Sequence, residues 1–176
     1  SDLAPTISSV TRAGSSTLNI ANPTDTITIT LSEPCTGFLV DDISVVGGEL
    51  SNFTRVSSSI YTVLFTADNN RSIDGSISIA QGAFTDLAGN PSSNTGSLTI
   101  PIDTVSQTVT ISRANAGDIL KQGDTETITF TFTEAPVGFV IGDITLTNAL
   151  GSTITNLVAT SDPLIYTATF TAGANS

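Results

Sequence analysis

The chain has no histidine, methionine or tryptophan, a single cysteine, and only five lysines and arginines against 16 aspartates and glutamates in 176 residues. Each scarcity removes a class of function. Without an imidazole there is no Ser-His or Cys-His nucleophile and no histidine-based zinc site. One thiol, Cys35, can form neither an intrachain disulfide nor a thiolate cluster. Its place in a turn predicts a small apolar filler, with an intermolecular or reactive role as the alternative. Two tyrosines and no tryptophan leave little to line a sugar cleft, no carboxylate pair stands out by spacing, and neither standard phosphate-cradling glycine loop occurs. No enzymatic activity is expected. The formal net charge of −11 repels nucleic-acid phosphates and anionic lipids, so cations are the expected partners. No apolar run approaches the roughly 18 residues of a membrane-spanning helix. The opening residues lack the charged-then-apolar order of a secretion signal, so a signal or anchor would have to lie elsewhere on a longer polypeptide.

What is present is a repeat. Residues 26–44 read TITITLSEPCTGFLVDDIS and residues 127–145 read TITFTFTEAPVGFVIGDIT. The shift is 101 at Ile27 and Ile128, at Glu33 and Glu134, at Phe38 and Phe139, and at Asp42 and Asp143. Val10, Arg12 and Asp25 map in the same way onto Ile111, Arg113 and Glu126. Further on, Tyr61, Phe65 and Ala67 recur at Tyr166, Phe170 and Ala172, a shift of 105, so four residues enter between the two stretches. The period divides the chain into residues 1–102 and 103–176.

Abundant Thr, Ser, Val, Ile and Gly with period-two alternation predict an all-β fold. In the first unit the strands fall at residues 6–12, 26–32, 40–46, 51–56, 60–66, 76–80 and 96–102, with Gly, Pro, Asn and Asp where they stop. Seven short strands in about 100 residues suit a two-sheet sandwich. The second unit follows the first through the fifth strand, and within the 176 residues nothing corresponds to the last two. Without them one sheet has bare edges and half the core is uncovered. A longer polypeptide is the favoured expectation; strand donation by a partner and a disordered second unit are the others. Residues 102–106 are too short for a flexible tether and predict a semi-rigid string of modules.

In such a sandwich the chain entry, the loop after the second strand and the loop before the last strand share one end. Those places hold Asp2, Glu33, Asp42, Asp86 and Asn90 in the first unit, and Asp103, Glu134 and Asp143 in the second. Converging carboxylates suit Ca²⁺, which takes six to eight oxygen ligands. The same residues have plain structural uses: Glu33 and Glu134 can end a strand in solvent, Asp42 and Asp143 can cap a turn, and Asp86 can shape one before Gly89. Asp68, Asn70, Ser72 and Asp74 resemble the start of a calcium loop, but Ile73 stands where glycine is needed, which predicts a polar hairpin loop. Asn52-Phe53-Thr54 and Asn70-Arg71-Ser72 fit the glycosylation pattern, informative only in a eukaryotic secretory setting. Arg12 and Arg113 are expected to neutralise nearby acids.

The pattern TITFTFTEAPVGFVIGDIT, the Tyr-Thr-x-x-Phe-Thr strand, and GAFTDLAGNPSS with SLTIPIDT resemble the bacterial immunoglobulin-like repeats of very large surface adhesins. The resemblance covers the first unit and the available part of the second. It implies tandem Greek-key immunoglobulin-like β-sandwiches acting as extracellular spacer modules on a bacterial surface. It further implies calcium at the domain junctions, carried by Asp2, Glu33, Asp42, Asp86, Asn90, Asp103, Glu134 and Asp143. Neighbouring repeats are the implied partners. The alternative is a virion or filament subunit that assembles by strand exchange.

Overall fold

In the computed structural model, which describes residues 3–147 and 149–174, the chain divides into two compact units at Ser106 and Gln107. All regular structure is β apart from two short 3-10 turns, Val40–Asp42 and Ile141–Asp143. The first unit runs β1 (Ile7–Arg12), β2 (Leu18–Asn19), β3 (Thr24–Leu31), β4 (Cys35–Thr36), β5 (Ile43–Val46), β6 (Gly48–Arg55), β7 (Ile60–Ala67), β8 (Gly75–Ile79), β9 (Thr85–Asp86), β10 (Gly96–Ile100) and β11 (Ile102–Asp103). One antiparallel sheet is ordered β1-β3-β7-β6 and the other β10-β8-β5. This is an immunoglobulin-like sandwich.

Alternation decides which side of each strand is dry. In β7, Tyr61, Val63, Phe65 and Ala67 are buried, while Ile60, Thr62, Leu64 and Thr66 are half-buried on the outer face. β3 answers with Ile27, Ile29 and Leu31, and the facing sheet with Ile77, Ile79 and Ile100. Phe38 closes one end of this layer, its ring edge-on to Phe53, Tyr61 and Phe84 at centroid distances of 5.6, 5.1 and 5.5 Å.

Three strands differ from the sequence expectation, and the one expected over residues 51–56 runs Gly48–Arg55. The strand expected over residues 40–46 begins only at Ile43, because the Asp42 carboxylate accepts the Leu39 N–H at 2.8 Å and winds the preceding residues into a 3-10 turn. The strand expected over residues 96–102 breaks at Pro101, which has no N–H for the ladder. Beyond it, β11 leaves β10 and pairs in parallel with β2, Ile102 opposite Leu18. Gly75 makes room for this shift: a Cβ there would lie 2.8 Å from Ile102 Cδ1.

The second unit holds β12 (Val109–Arg113), β13 (Thr125–Phe132), β14 (Thr153–Ala159) and β15 (Ile165–Thr171), ordered β12-β13-β15-β14. This is the arrangement of β1-β3-β7-β6 repeated. Phe139 repeats Phe38, edge-on to Phe130, Phe132 and Tyr166. Residues 144–147, the counterparts of β5, lie in no strand.

Both edge strands β6 and β14 carry a bulge at matching places, between Ser51 and Thr54 and between Thr155 and Val158. Asn52 and Asn156 occupy them with φ of 51° and 56°. The extra residue resets the alternation, so that Phe53 and Leu157 turn inward after Leu50 and Ile154. Asparagine tolerates this left-handed backbone far better than a β-branched residue. Asn52→Val is expected to cost the first unit about 1–2 kcal/mol and Asn52→Gly very little, read from urea denaturation midpoints.

Candidate functional site

Strand directions place the loops after β3, β5's entry and the β8–β10 connection at one end of the first unit, and the loops after β1, β7 and β10 at the other. The expected acidic residues fall mainly at the first end. Asp86 is buried, 3% exposed, in β9 beside Cys35 of β4. One carboxylate oxygen accepts the N–H groups of Ala88 and Asn90 at 2.9 and 2.8 Å, and the other accepts Asn90 Nδ2 at 2.8 Å. The turn is closed by Gly89, at φ 91°, whose N–H reaches the Asp86 carbonyl. The Asn90 side-chain hydrogen bond, with the Asn90 and Ala88 N–H groups, holds the Asp86 carboxyl below its ordinary range despite burial.

Cys35 is fully buried and its thiol donates to the Glu33 carbonyl. Burial raises the thiol pKa, the Glu33 and Asp86 carboxylates add to that, and Arg55 opposes it. Such a thiol is a filler and not a nucleophile.

The remaining acids are spread out. Asp42 and Asp143 are used within their own turns, accepting the N–H of Leu39 and Val140 at 2.8 and 2.9 Å. Asp103 lies in β11, at the opposite end of the first unit from Asp86, with its carboxylate 3.4 Å from the Val105 N–H. Glu134, in the second unit, accepts Gln107 Nε2 with its main-chain carbonyl at 2.6 Å. Asp2 lies outside the described residues. Among the described residues no group of three or more Asp, Glu, His or Cys could hold a metal ion. Asp86 and Asn90 are brought together, and Glu33 comes near Cys35, but the described acids do not converge into a cage. Backbone N–H groups have taken up one carboxylate oxygen each of Asp42, Asp86 and Asp143.

Two arrangements at the other end stand out more. The first is an ion pair present in both units. Arg12 Nε lies 2.7 Å from Asp25 Oδ2, with side chains 11% and 7% exposed, and Arg113 Nη2 lies 2.7 Å from Glu126 Oε2. Arg12 Nη2 and Arg113 Nη2 also donate to the Ser16 and Asp118 carbonyls, fastening the loop after the first strand of each unit. Burial raises the Asp25 carboxyl, but the Arg12 hydrogen bond and charge and the Gly14 and Thr26 N–H groups more than offset it, so its pKa is lowered. The Asn115 N–H, then Arg113, lower that of Glu126 against burial.

The second arrangement is a clasp on the chain as it leaves β11. Thr104 is 4% exposed. Its N–H donates to the Arg71 carbonyl at 2.8 Å, and its carbonyl accepts the Asn70 N–H at 3.2 Å. Its hydroxyl donates to the Asp68 carbonyl at 2.6 Å and accepts the Arg71 N–H at 3.0 Å. Arg71 in turn binds the carbonyls of Ile73 and Asp74. The loop that resembled a calcium site is therefore the socket that holds the outgoing chain. The sequence reading missed it, although a threonine between two strand-forming stretches beside a polar loop was the available signal.

The bacterial Ig-like domain family matches residues 2–102 and again residues 103–176. None of the curated proteins matches the chain. Solved structures similar to it include the Yersinia pseudotuberculosis adhesin InvE, at 20% identity and a TM-score of 0.39, covering 93% of this chain and 51% of that one. InvD of the same organism is 30% identical with a TM-score of 0.37, covering 93% of this chain and 48% of that one. The chain thus spans about half the length of either. No helix among the described residues is long and apolar enough to cross a membrane.

Asp25, Asp86 and Glu126 have native pKa values below the ordinary 3.8 for Asp and 4.5 for Glu. A lowered folded-state pKa gives stability that is complete above those ordinary values and is lost as pH falls through the native ones. Thermal melts should accordingly be flat near neutrality and drop below about pH 4, with Asp25→Asn weakening the dependence. Cys35 should resist a thiol-specific dye in the native protein and react fully in denaturant; rapid native labelling would contradict its burial. With the family matched over both units and the two-sheet architecture complete in the first, the chain is a tandem of bacterial Ig-like domains.

Proposed function

We propose that the chain is a non-catalytic spacer from the stalk of a bacterial cell-surface adhesin, working outside the cell to hold a more distal part away from the surface. The observation that carries this reading is the Thr104 clasp. A spacer must transmit direction from module to module, and here the chain is held by the first unit through Thr104, two residues before that unit ends. The tandem family match, the absence of histidine and the single shielded thiol agree with it. The likeness to Yersinia adhesins is of the same kind.

Calcium enters this proposal as an added stiffener at acids whose carboxylates are not taken up by a turn, which among the described residues of the expected set are Glu33 and Glu134. Calorimetry at neutral pH tests it. A rise in melting temperature with millimolar Ca²⁺ over sodium at matched ionic strength supports the metal, whereas identical melts in Ca²⁺ and chelator remove it and leave the spacer. A second reading, a virion or filament subunit built by strand exchange, draws on the half-exposed apolar face of the second unit.

Thr104→Ala tests the clasp, since it deletes two hydroxyl hydrogen bonds and leaves the Asp68 carbonyl and Arg71 N–H without that partner. A loss of about 1–3 kcal/mol in the first unit is expected. Spin labels on each unit should give one narrow distance distribution in the parent chain and a broader one in the variant. A distribution already broad in the parent would defeat the spacer reading.

A further inference from the structure

The alternation that turns Phe130, Phe132 and Ala168 inward turns a different set of side chains outward on the sheet β12-β13-β15-β14. No outward strand position there carries a charge, and all but Ser112, Ile165 and Val158 are threonine. The ladder sets these threonines in rows. Between the two central strands Thr125 lies opposite Thr171, Thr127 opposite Thr169 and Thr129 opposite Thr167. On the edge strand β14, Thr153 continues the first row and Thr155 the second. Neighbours within a row stand about 4.7–4.9 Å apart, the strand separation, and successive rows, two residues on, about 6.4–6.8 Å apart. Among the described residues none of these hydroxyls hydrogen-bonds to another protein group. The first unit interrupts the same array: at the places of Thr153, Thr155 and Thr169 its outer face has Glu49, Ser51 and Leu64. Strand propensity favours threonine in both sheets alike, so it does not account for this difference.

We propose that the outer face of the second unit binds ice. A surface that prefers ice to liquid water cannot rely on hydrogen-bond strength, because liquid water satisfies a hydroxyl equally well. The preference has to come from position: groups held at lattice-like intervals order the adjoining water as the crystal does. The oxygens of hexagonal ice repeat along two perpendicular directions of a prism face at intervals of the same order as these rows. Threonine suits the task, since its branched Cβ restricts χ1 and holds hydroxyl and methyl at fixed places. A charged side chain would keep its own hydration shell in orientations foreign to the lattice, and this face has none. Neighbouring strands rotate against one another by about 20–25°, so the match extends over a few rows of two or three strands and the activity is that of a small patch. The inference goes beyond the spacer reading and does not depend on it.

The test follows the 176-residue chain into a slowly growing ice front and measures ice recrystallisation at constant subzero temperature. The chain should enter the ice in excess of its share, restrain recrystallisation, and lower the freezing point of a seeded crystal below its melting point. Thr127→Lys and, separately, Thr155→Lys place a charge at exposed positions of the second row. Each should abolish all three effects, with thermal melts showing the second unit still folded. Ser51→Lys, at the place in the first unit that matches Thr155, should change nothing. Exclusion of the parent chain from ice would overturn the proposal, as would full uptake of both second-unit variants or an equal loss with Ser51→Lys. So would a dimer in light scattering that Thr127→Lys dissolves, since a second copy would then occupy the face. The spacer reading is judged separately by the spin-label distances, which none of these outcomes alters.

Discussion

Ile27, Ile29, Tyr61, Val63 and Phe65 share one face of the sheet β1-β3-β7-β6, and keeping that face from water is the condition on which the rest of the first unit depends. Each such side chain is worth about 1.5–3 kcal/mol when fully buried, against about 0.5–1.5 kcal/mol for an ordinary hydrogen bond. The second sheet exists to cover this face, and Phe38 stops the gap at one end. At the other end the alternation of β3 would carry Asp25 into the same layer, and Arg12 meets it there. The bulge at Asn52 serves the same end by aiming Phe53 inward from an edge strand.

Cations are scarce, and the arginines are spent inside the modules. All four bind main-chain carbonyls: Arg12 that of Ser16, Arg55 those of Ser57 and Cys35, Arg71 those of Ile73 and Asp74, and Arg113 that of Asp118. A planar guanidinium suits this work, since one side chain reaches two acceptors at fixed angles. The consequence is an exterior whose charges are mostly negative, set among neutral Ser, Thr and Asn. Together with bulged edge strands, that charge discourages lateral pairing between modules packed closely together.

Much of the fold was legible because period two is a strong signal wherever one face is dry and the other wet; β3, β7 and their counterparts β13 and β15 were readable from alternation alone. The 101-residue shift also exposed the module boundary region. What escaped were contacts between residues distant in sequence: the parallel pairing of Ile102 with Leu18, the β4–β9 pairing of Cys35 with Asp86, and the seating of Thr104 against Arg71. Alternation carries no information about them. The acids were a different matter. The common end of Glu33, Asp42 and Asp86 could be read from topology, but whether a carboxylate faces a cation or its own backbone is settled within three or four residues. For Asp42, Asp86 and Asp143 the nearby N–H groups prevailed.

The clasp at Thr104 also has a mechanical meaning. Tension applied beyond Ser106 is delivered first to β11 and its socket, before it can reach β10. A pull along β11 loads the parallel ladder to β2 and the Asn70, Arg71 and Asp68 contacts side by side, so that they share the load instead of opening one after another. Behind them, Pro101 interrupts the ladder and separates this fastening from the main sheets. The contacts that fasten the first unit's exit are therefore different from those that close its core.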